Sequence, residues 1–152
     1  MRRLLRLVLF VAVPVVVGVG LLLLRNYQME AGVWAYKEEN GITALEKLKP
    51  LAYLGDKTAQ MIVGSIYAYG LNGVPKNEAN AIYWFRRCGP IGPLVVEDGV
   101  DPAAPHELSV AKAYANGSGG VKVDPRESEK WLQLAAKGGS KEAAAMLAKS
   151  HP

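Results

Sequence analysis

The chain has 152 residues, half of them hydrophobic, and a formal net charge of +4. That length suits one domain of ordinary size. Four of the 18 basic residues and none of the 14 acidic ones lie in residues 1–25, so 14 basic and 14 acidic residues balance in 26–152. A neutral body lacks the basic surface that neutralises phosphates, which excludes nucleic acid as an expected partner.

The chain begins with a long apolar segment. Leu7 to Leu24 is an uncharged run of 18 residues that is followed by Arg25. At a rise of about 1.5 Å per residue, a helix of this length nearly crosses a hydrocarbon core about 30 Å thick. We therefore predict a transmembrane anchor over 1–25. The alternative is a cleaved signal peptide, whose apolar core is shorter and ends in small residues rather than leucines.

The charges beside the anchor predict its orientation. Arg2, Arg3 and Arg6 precede the apolar run, and Arg25 alone follows it directly. The more basic flank of a membrane helix stays on the cytoplasmic side. We therefore expect the remaining domain, 26–152, on the opposite side of the membrane.

A first helical hairpin is expected directly after the anchor. Apolar side chains recur at helical intervals from Asn26 to Asn40, and Asn40 with Gly41 marks a turn. A second helix follows from Ile42 to Tyr53. Because so little linker separates this hairpin from the anchor, the domain should lie close to the bilayer.

Two later stretches share one frame of landmark residues. Each frame runs from a tyrosine to a tryptophan over 17 positions, with glycine, glycine-valine and a capping residue between them. The two sets are Tyr67, Gly70, Gly73, Val74, Asn77 and Trp84, and Tyr114, Gly117, Gly120, Val121, Asp124 and Trp131.

The landmarks predict a helical hairpin in each copy. Gly70 and Gly117 suit the left-handed backbone that ends a helix. Asn77 and Asp124 can accept hydrogen bonds from the free amides that begin the next helix, and Pro125 suits its first turn. A hairpin this small cannot bury its apolar face alone, so the units should stack on one another.

This frame resembles the Sel1-like repeat, a short relative of the tetratricopeptide repeat. The resemblance covers about Glu30 to Ala148, and the second copy departs from it where Ala111 replaces a glycine and Ser128 an alanine. It implies an all-α solenoid of about three hairpins and a non-enzymatic scaffold that binds other proteins. Many such bacterial proteins are exported, so the resemblance also implies a bacterial inner-membrane protein with a periplasmic domain.

An insertion interrupts the repeat. Trp84 and Trp131 lie 47 residues apart, against a family period of about 36. The excess falls at 89–105, a stretch rich in proline and glycine that predicts an irregular loop. It could bind a partner or act only as a spacer. After the last hairpin, Ser140 to Lys149 predicts a helix that caps the stack.

Partner recognition is expected on the face between the landmarks and on the insertion. Long loops on a rigid scaffold often carry recognition. The candidate partner-binding residues are Met61, Ser65, Tyr69, Lys112 and Asn116 on the helices, and Glu97, Asp98 and Asp101 on the insertion.

The sequence offers little for catalysis or cofactor binding. Ser65 and Ser118 have no base near them in the sequence, and His106 and His151 have no ligand partner at metal-site spacing. We expect no metal and no cofactor. The lone Cys88 excludes an internal disulfide and is expected in the core.

These observations predict a membrane-anchored, non-enzymatic binding protein. One candidate role is immunity against a type VI secretion toxin such as a lipase or phospholipase. The alternatives are an adaptor or regulator of cell-envelope assembly or signalling and, from another class, a cell-wall hydrolase. The sequence leaves the identity of the partner and the oligomeric state open.

Overall fold

The computed structural model describes residues 2–90 and 104–150, with side chains described from residue 13 onward. Within these ranges the chain is all-α, as predicted, with seven helices and a short 3-10 turn at Ser118–Gly120. The helices are α1 (Arg2–Lys37), α2 (Gly41–Tyr53), α3 (Lys57–Tyr69), α4 (Glu78–Cys88), α5 (Ala104–Asn116), α6 (Pro125–Lys137) and α7 (Lys141–Ser150).

Helix α1 combines the apolar N-terminal segment and the first repeat helix in one continuous element. It crosses the predicted domain boundary at residue 25 without a break. The large apolar side chains of 13–24 are each more than half exposed. Residues 1–12 of the predicted anchor lie outside the side-chain description. Of the residues that are described, none belongs to a helix long and apolar enough to cross a membrane.

Helices α1 and α2 form the first predicted hairpin. Asn40 caps α2, since its side chain accepts a hydrogen bond from the Thr43 amide at 3.1 Å. The two helices approach closely at Gly32, where an added Cβ would lie 2.5 Å from Cγ of the fully buried Leu48. A side chain at residue 32 would therefore push the helices apart.

The second and third hairpins, α3 with α4 and α5 with α6, confirm the helix ends that the landmarks predict. Gly70 and Gly117 have φ values of 73° and 79°. The Asn77 amide donates to the Tyr67 carbonyl at 2.8 Å, and the equivalent bond from Asp124 to Tyr114 measures 2.9 Å. The Asn77 and Asp124 side chains also cap α4 and α6. The two copies therefore share equivalent hydrogen bonds as well as the same landmark residues.

Two main apolar clusters meet at α4. Trp84 is buried with the first two hairpins, whereas its neighbour Phe85 is buried with the third hairpin and α7. Tyr67 packs against both clusters. Helix α7 covers the last hairpin through Ala143, which is fully buried, and this confirms the predicted cap.

Two helix ends border the predicted insertion of 89–105. Helix α5 begins at Ala104 rather than after Pro105, because proline in the first turn of a helix loses no backbone hydrogen bond. At the other end, Gly89 ends α4 with a φ of 68°. Residues 91–103 lie outside the described part of the chain.

Candidate functional site

A groove between the second and third hairpins is the candidate site. Its floor is apolar and consists of Ala81, Ile82 and Phe85 of α4, each at most 3% exposed. Its volume of about 360 Å³ lies in the range of sites that accept a small ligand or a few side chains. The remaining lining residues are Ala68, Tyr69, Lys76, Glu78, Pro105, His106, Ser109 and Lys112.

The rim of the groove is polar and partly cationic. Tyr69, the last residue of α3, is 64% exposed. Lys112 of α5 forms an ion pair with Glu142 at 2.7 Å, which neutralises part of its charge. Lys76 is exposed on the connection to α4, and Glu78 stands near it. An aromatic ring and two lysines thus surround an apolar floor.

A partly buried polar pair, Ser65 and His106, lies at the end of the groove. Ser65 is 4% exposed, and its Oγ lies 3.1 Å from Nε2 of His106. The Ser65 hydroxyl also donates to the Met61 carbonyl at 3.0 Å. The expectation that Ser65 has no base near it is wrong, because packing brings together two residues that are 41 positions apart.

This pair is arranged to hold helices together. Ser65 Oγ lies within hydrogen-bond distance of both the Met61 carbonyl and Nε2 of His106, and which of the two groups donates in the second bond depends on the imidazole tautomer. The His106 ring also stacks on Phe85, with ring centroids 4.4 Å apart. One side chain at the start of α5 therefore contacts both α3 and α4.

A second and much smaller cavity adjoins the pair on its other side from the groove residues Tyr69 and Lys112. The adjoining cavity has a volume of about 10 Å³, roughly the room for one water molecule. Met61, Cys88 and Glu107 are among its lining residues. Within the described ranges no group of three His, Cys, Asp or Glu residues could hold a metal ion.

Cys88 lies in the core, as predicted. It is a free cysteine with 3% exposure, and its Sγ donates to the Lys57 carbonyl at 3.3 Å. Burial raises the pKa of the Cys88 thiol, against a smaller lowering by the nearby Lys57 charge. The thiol is therefore protonated and unreactive at neutral pH.

The structure brings together two of the predicted partner-binding residues. Tyr69 and Lys112 line the same groove, whereas Met61 is half-buried beside the small cavity and Ser65 is interior. Asn116 is exposed at the end of α5, where its side chain accepts from the Ser118 amide at 2.9 Å. Three predicted residues lie outside the described part of the chain, namely Glu97, Asp98 and Asp101.

Sequence reasoning missed His106, although the repeat frame contains a signal for it. His106 stands eight positions before Tyr114, and in the first copy that position is Ala59, which is fully buried. A histidine at a buried alanine position needs a polar partner. Ser65 supplies it from the preceding repeat.

Comparisons with known proteins agree with this hairpin geometry. Residues 57–87 and 106–140 each match the Sel1 repeat. Both stretches are therefore similar to the Sel1 repeat. They coincide closely with the second and third hairpins and exclude the whole of the predicted insertion at 89–105.

Two similar proteins extend the comparison. A crystallised Sel1 repeat protein from Oxalobacter formigenes is 28% identical, with a TM-score of 0.52 over 71% of this chain. Chitin synthase regulatory factor 4 of Schizosaccharomyces pombe is 30% identical over 82 residues, or 54% of this chain. This chain spans only 28% of the length of the crystallised protein and 11% of the yeast protein.

Two positions at which the third hairpin departs from the Sel1-like motif, Ala111 and Ser128, lie against each other. The Ser128 hydroxyl donates to the Ala111 carbonyl at 2.9 Å, and both residues are buried. The serine thus fixes α6 to α5 through a hydrogen bond where the first repeat has the apolar Ala81.

Proposed function

We propose that this protein is a non-enzymatic binding module that captures a segment of another protein in the groove between its two Sel1 repeats. Sel1 repeat proteins are protein-interaction scaffolds, and this chain carries two such repeats. The observation that carries the proposal is the groove of about 360 Å³, which has the apolar residues Ala81, Ile82 and Phe85 at its floor and Tyr69 and Lys112 at its rim. The buried state of Ser65 supports binding rather than hydrolysis.

The lining of the groove favours a particular kind of segment. The apolar floor would accept one or two apolar side chains from the partner. Lys76 and Lys112 would attract a neighbouring carboxylate, and the Tyr69 ring offers a rigid contact surface. The proposed ligand is therefore a short segment with an apolar side chain beside an acidic one.

The proposed location is the periplasmic face of a bacterial inner membrane, with α1 as the anchor. Support comes from the uncharged run of Leu7 to Leu24 and from the more basic flank before it. The exposed apolar side chains of 13–24 also need an apolar environment, because a monomer in water rarely exposes so continuous a patch.

Two partner identities remain as proposals. A regulator of an envelope-building enzyme is supported by the similarity to the yeast chitin synthase regulatory factor. Immunity against a periplasmic toxin, such as a lipase or phospholipase of a type VI secretion system, is supported by the proposed export of the repeat domain behind the apolar run of Leu7 to Leu24. In the first case the partner is a resident envelope protein, and in the second it comes from a competing cell.

The test is a crosslinked pull-down of the full chain from intact cells, comparing wild type with Lys76→Glu. Lys122→Glu is the matched control, because it reverses an exposed lysine on the equivalent connection of the next repeat. We expect one protein to be recovered with wild type and Lys122→Glu, and at least tenfold less with Lys76→Glu.

The identity of that protein separates the two roles. An envelope-assembly protein would favour the regulator, and a toxin recovered only from co-culture with a competitor would favour immunity. Equal recovery with all three forms would contradict the groove as the binding site.

A further inference from the structure

The turn between α2 and α3 carries an exposed apolar tip. Leu54 is 83% exposed, the highest value among the large apolar side chains described, and Tyr53 beside it is 57% exposed. Gly55 follows with a φ of 96° and open space around it. An exposed leucine at the tip of a tight turn is in contact with water unless something covers it.

This tip lies at the level where the apolar part of α1 ends. Helix α2 runs back along α1, and Gly32 meets Leu48. Tyr27 precedes Gly32 by five residues in α1, and Leu54 follows Leu48 by six residues at the end of α2. Because the two helices run in opposite directions, Tyr27 and Leu54 lie at about the same level. An ion pair joins α1 to the turn at this level, because Nη2 of Arg25 lies 2.5 Å from the carboxylate of Asp56, two residues after Leu54.

Cations flank the tip from two other helices. Arg87 near the end of α4 donates to the Tyr53 carbonyl at 3.4 Å, and its side chain is exposed. Lys57 at the start of α3 is exposed, and its carbonyl accepts from Cys88 at the end of α4. The ends of α2 and α4 and the start of α3 therefore form one edge beside Arg25. We call this edge of Tyr53, Leu54, Lys57 and Arg87 the turn edge.

We propose that the turn edge rests on a lipid bilayer that contains anionic phospholipids and forms a second membrane contact. This inference depends on the proposed anchoring of the chain through α1. If the apolar run is in the hydrocarbon core, then Arg25 lies at the headgroups, and the turn edge lies there with it. Leucine enters the outer acyl region, tyrosine lies at the interface, and Lys57 and Arg87 face phosphate groups.

The chemistry of the edge favours lipid over a protein partner. Its members combine an apolar tip, an aromatic ring and two exposed cations, which is the composition of interfacial membrane contacts. The edge also continues directly from the exposed apolar side chains of 13–24 through the Arg25–Asp56 contact. A surface that lies beside the end of a membrane helix is the part of the domain nearest to the bilayer.

This contact would set the height of the groove above the membrane. Helix α3 begins at the turn edge with Lys57 and ends at Tyr69, twelve residues later. At about 1.5 Å per residue, Tyr69 lies about 18 Å further from the bilayer if α3 stands upright. The groove would then be presented to partners at a fixed distance from the surface.

Spin labels on the full chain in vesicles test the proposal. Single cysteines replace Leu54, Val17 in the apolar run, and Val123, an exposed apolar residue on the connection at the opposite ends of the helices. The native Cys88 is buried and should not take the label, which the unsubstituted chain verifies. Collision with oxygen reports a lipid environment, and collision with a water-soluble nickel complex reports an aqueous one.

In vesicles of phosphatidylethanolamine and phosphatidylglycerol, we expect lipid exposure at Val17→Cys and Leu54→Cys and water exposure at Val123→Cys. Adding Lys57→Glu and Arg87→Glu should reduce the lipid exposure at residue 54 severalfold while leaving residue 17 unchanged. Lipid exposure at 17 with water exposure at 54 would overturn the second contact and leave the anchor intact. Water exposure at 17 would instead overturn the proposed anchor.

Discussion

His106 joins the two Sel1-like hairpins through two side-chain contacts. Its ring is stacked on Phe85 and hydrogen-bonded to Ser65, so it joins α5 to both helices of the preceding hairpin. A buried hydroxyl that loses its partner costs free energy, because water cannot replace the bond. The polar pair therefore fixes which surface of α5 faces the second hairpin.

Replacing His106 by alanine should lower the free energy of unfolding by about 1–3 kcal/mol, through loss of the hydrogen bond and the ring contact. Urea unfolding of the full chain in detergent micelles measures this change. Ser65→Ala should cost less, and the double variant should cost less than the sum of the two, since both remove the same bond. Strictly additive effects would show that the two side chains do not interact.

Within each of the two Sel1-like hairpins, the first and second helices pack through a different pair of residues. In the first, Gly64 of α3 faces the Phe85 ring, and an added Cβ would overlap that ring. In the second, the equivalent positions are Ala111 and Leu132, both buried. A larger side chain on one helix is thus matched by a smaller one on the other, which explains why Ala111 departs from the motif.

Gly64→Ala should therefore destabilise the protein by about 1–3 kcal/mol, because a closely packed core does not accept an extra methyl group. Combining it with Phe85→Leu should cost less than the sum of the single changes, since the smaller side chain makes room. Thermal unfolding followed by circular dichroism measures all three variants. Gly20→Ala is the control, because nothing lies within 4 Å of a Cβ at that position. A double variant that shows the full sum would contradict the size match.

The helix ends were predictable from sequence because each depends on a few neighbouring residues. A glycine with positive φ at Gly70 and a capping side chain at Asn77 act within one turn of the chain. The Ser65–His106 pair was not predictable in this way, because it depends on how the third hairpin docks after the insertion. The groove depends on the same docking, so only its members Tyr69 and Lys112 were anticipated.

At the scale of the whole molecule, α4 joins two apolar clusters into one stack. Trp84 belongs to the cluster that α1, α2 and α3 share, and Phe85 to the cluster of the third hairpin. In a repeat protein each unit is stabilised by its contacts with the neighbouring units, so the free energies of unfolding of both clusters depend on α4. The candidate groove lies on this same helix, which gives its floor a rigid support.

Site-specific photo-crosslinking in intact cells tests most directly whether the groove binds a partner. A benzoylphenylalanine replaces Tyr69 on the groove rim or, as the control, Tyr83, which is 47% exposed but lines a different pocket. If the groove binds a partner, we expect one discrete protein adduct from residue 69 and none from residue 83. The adduct from residue 69 should be lost in the Lys76→Glu variant. Adducts from residue 83 with none from residue 69 would contradict this expectation and place binding elsewhere on the stack.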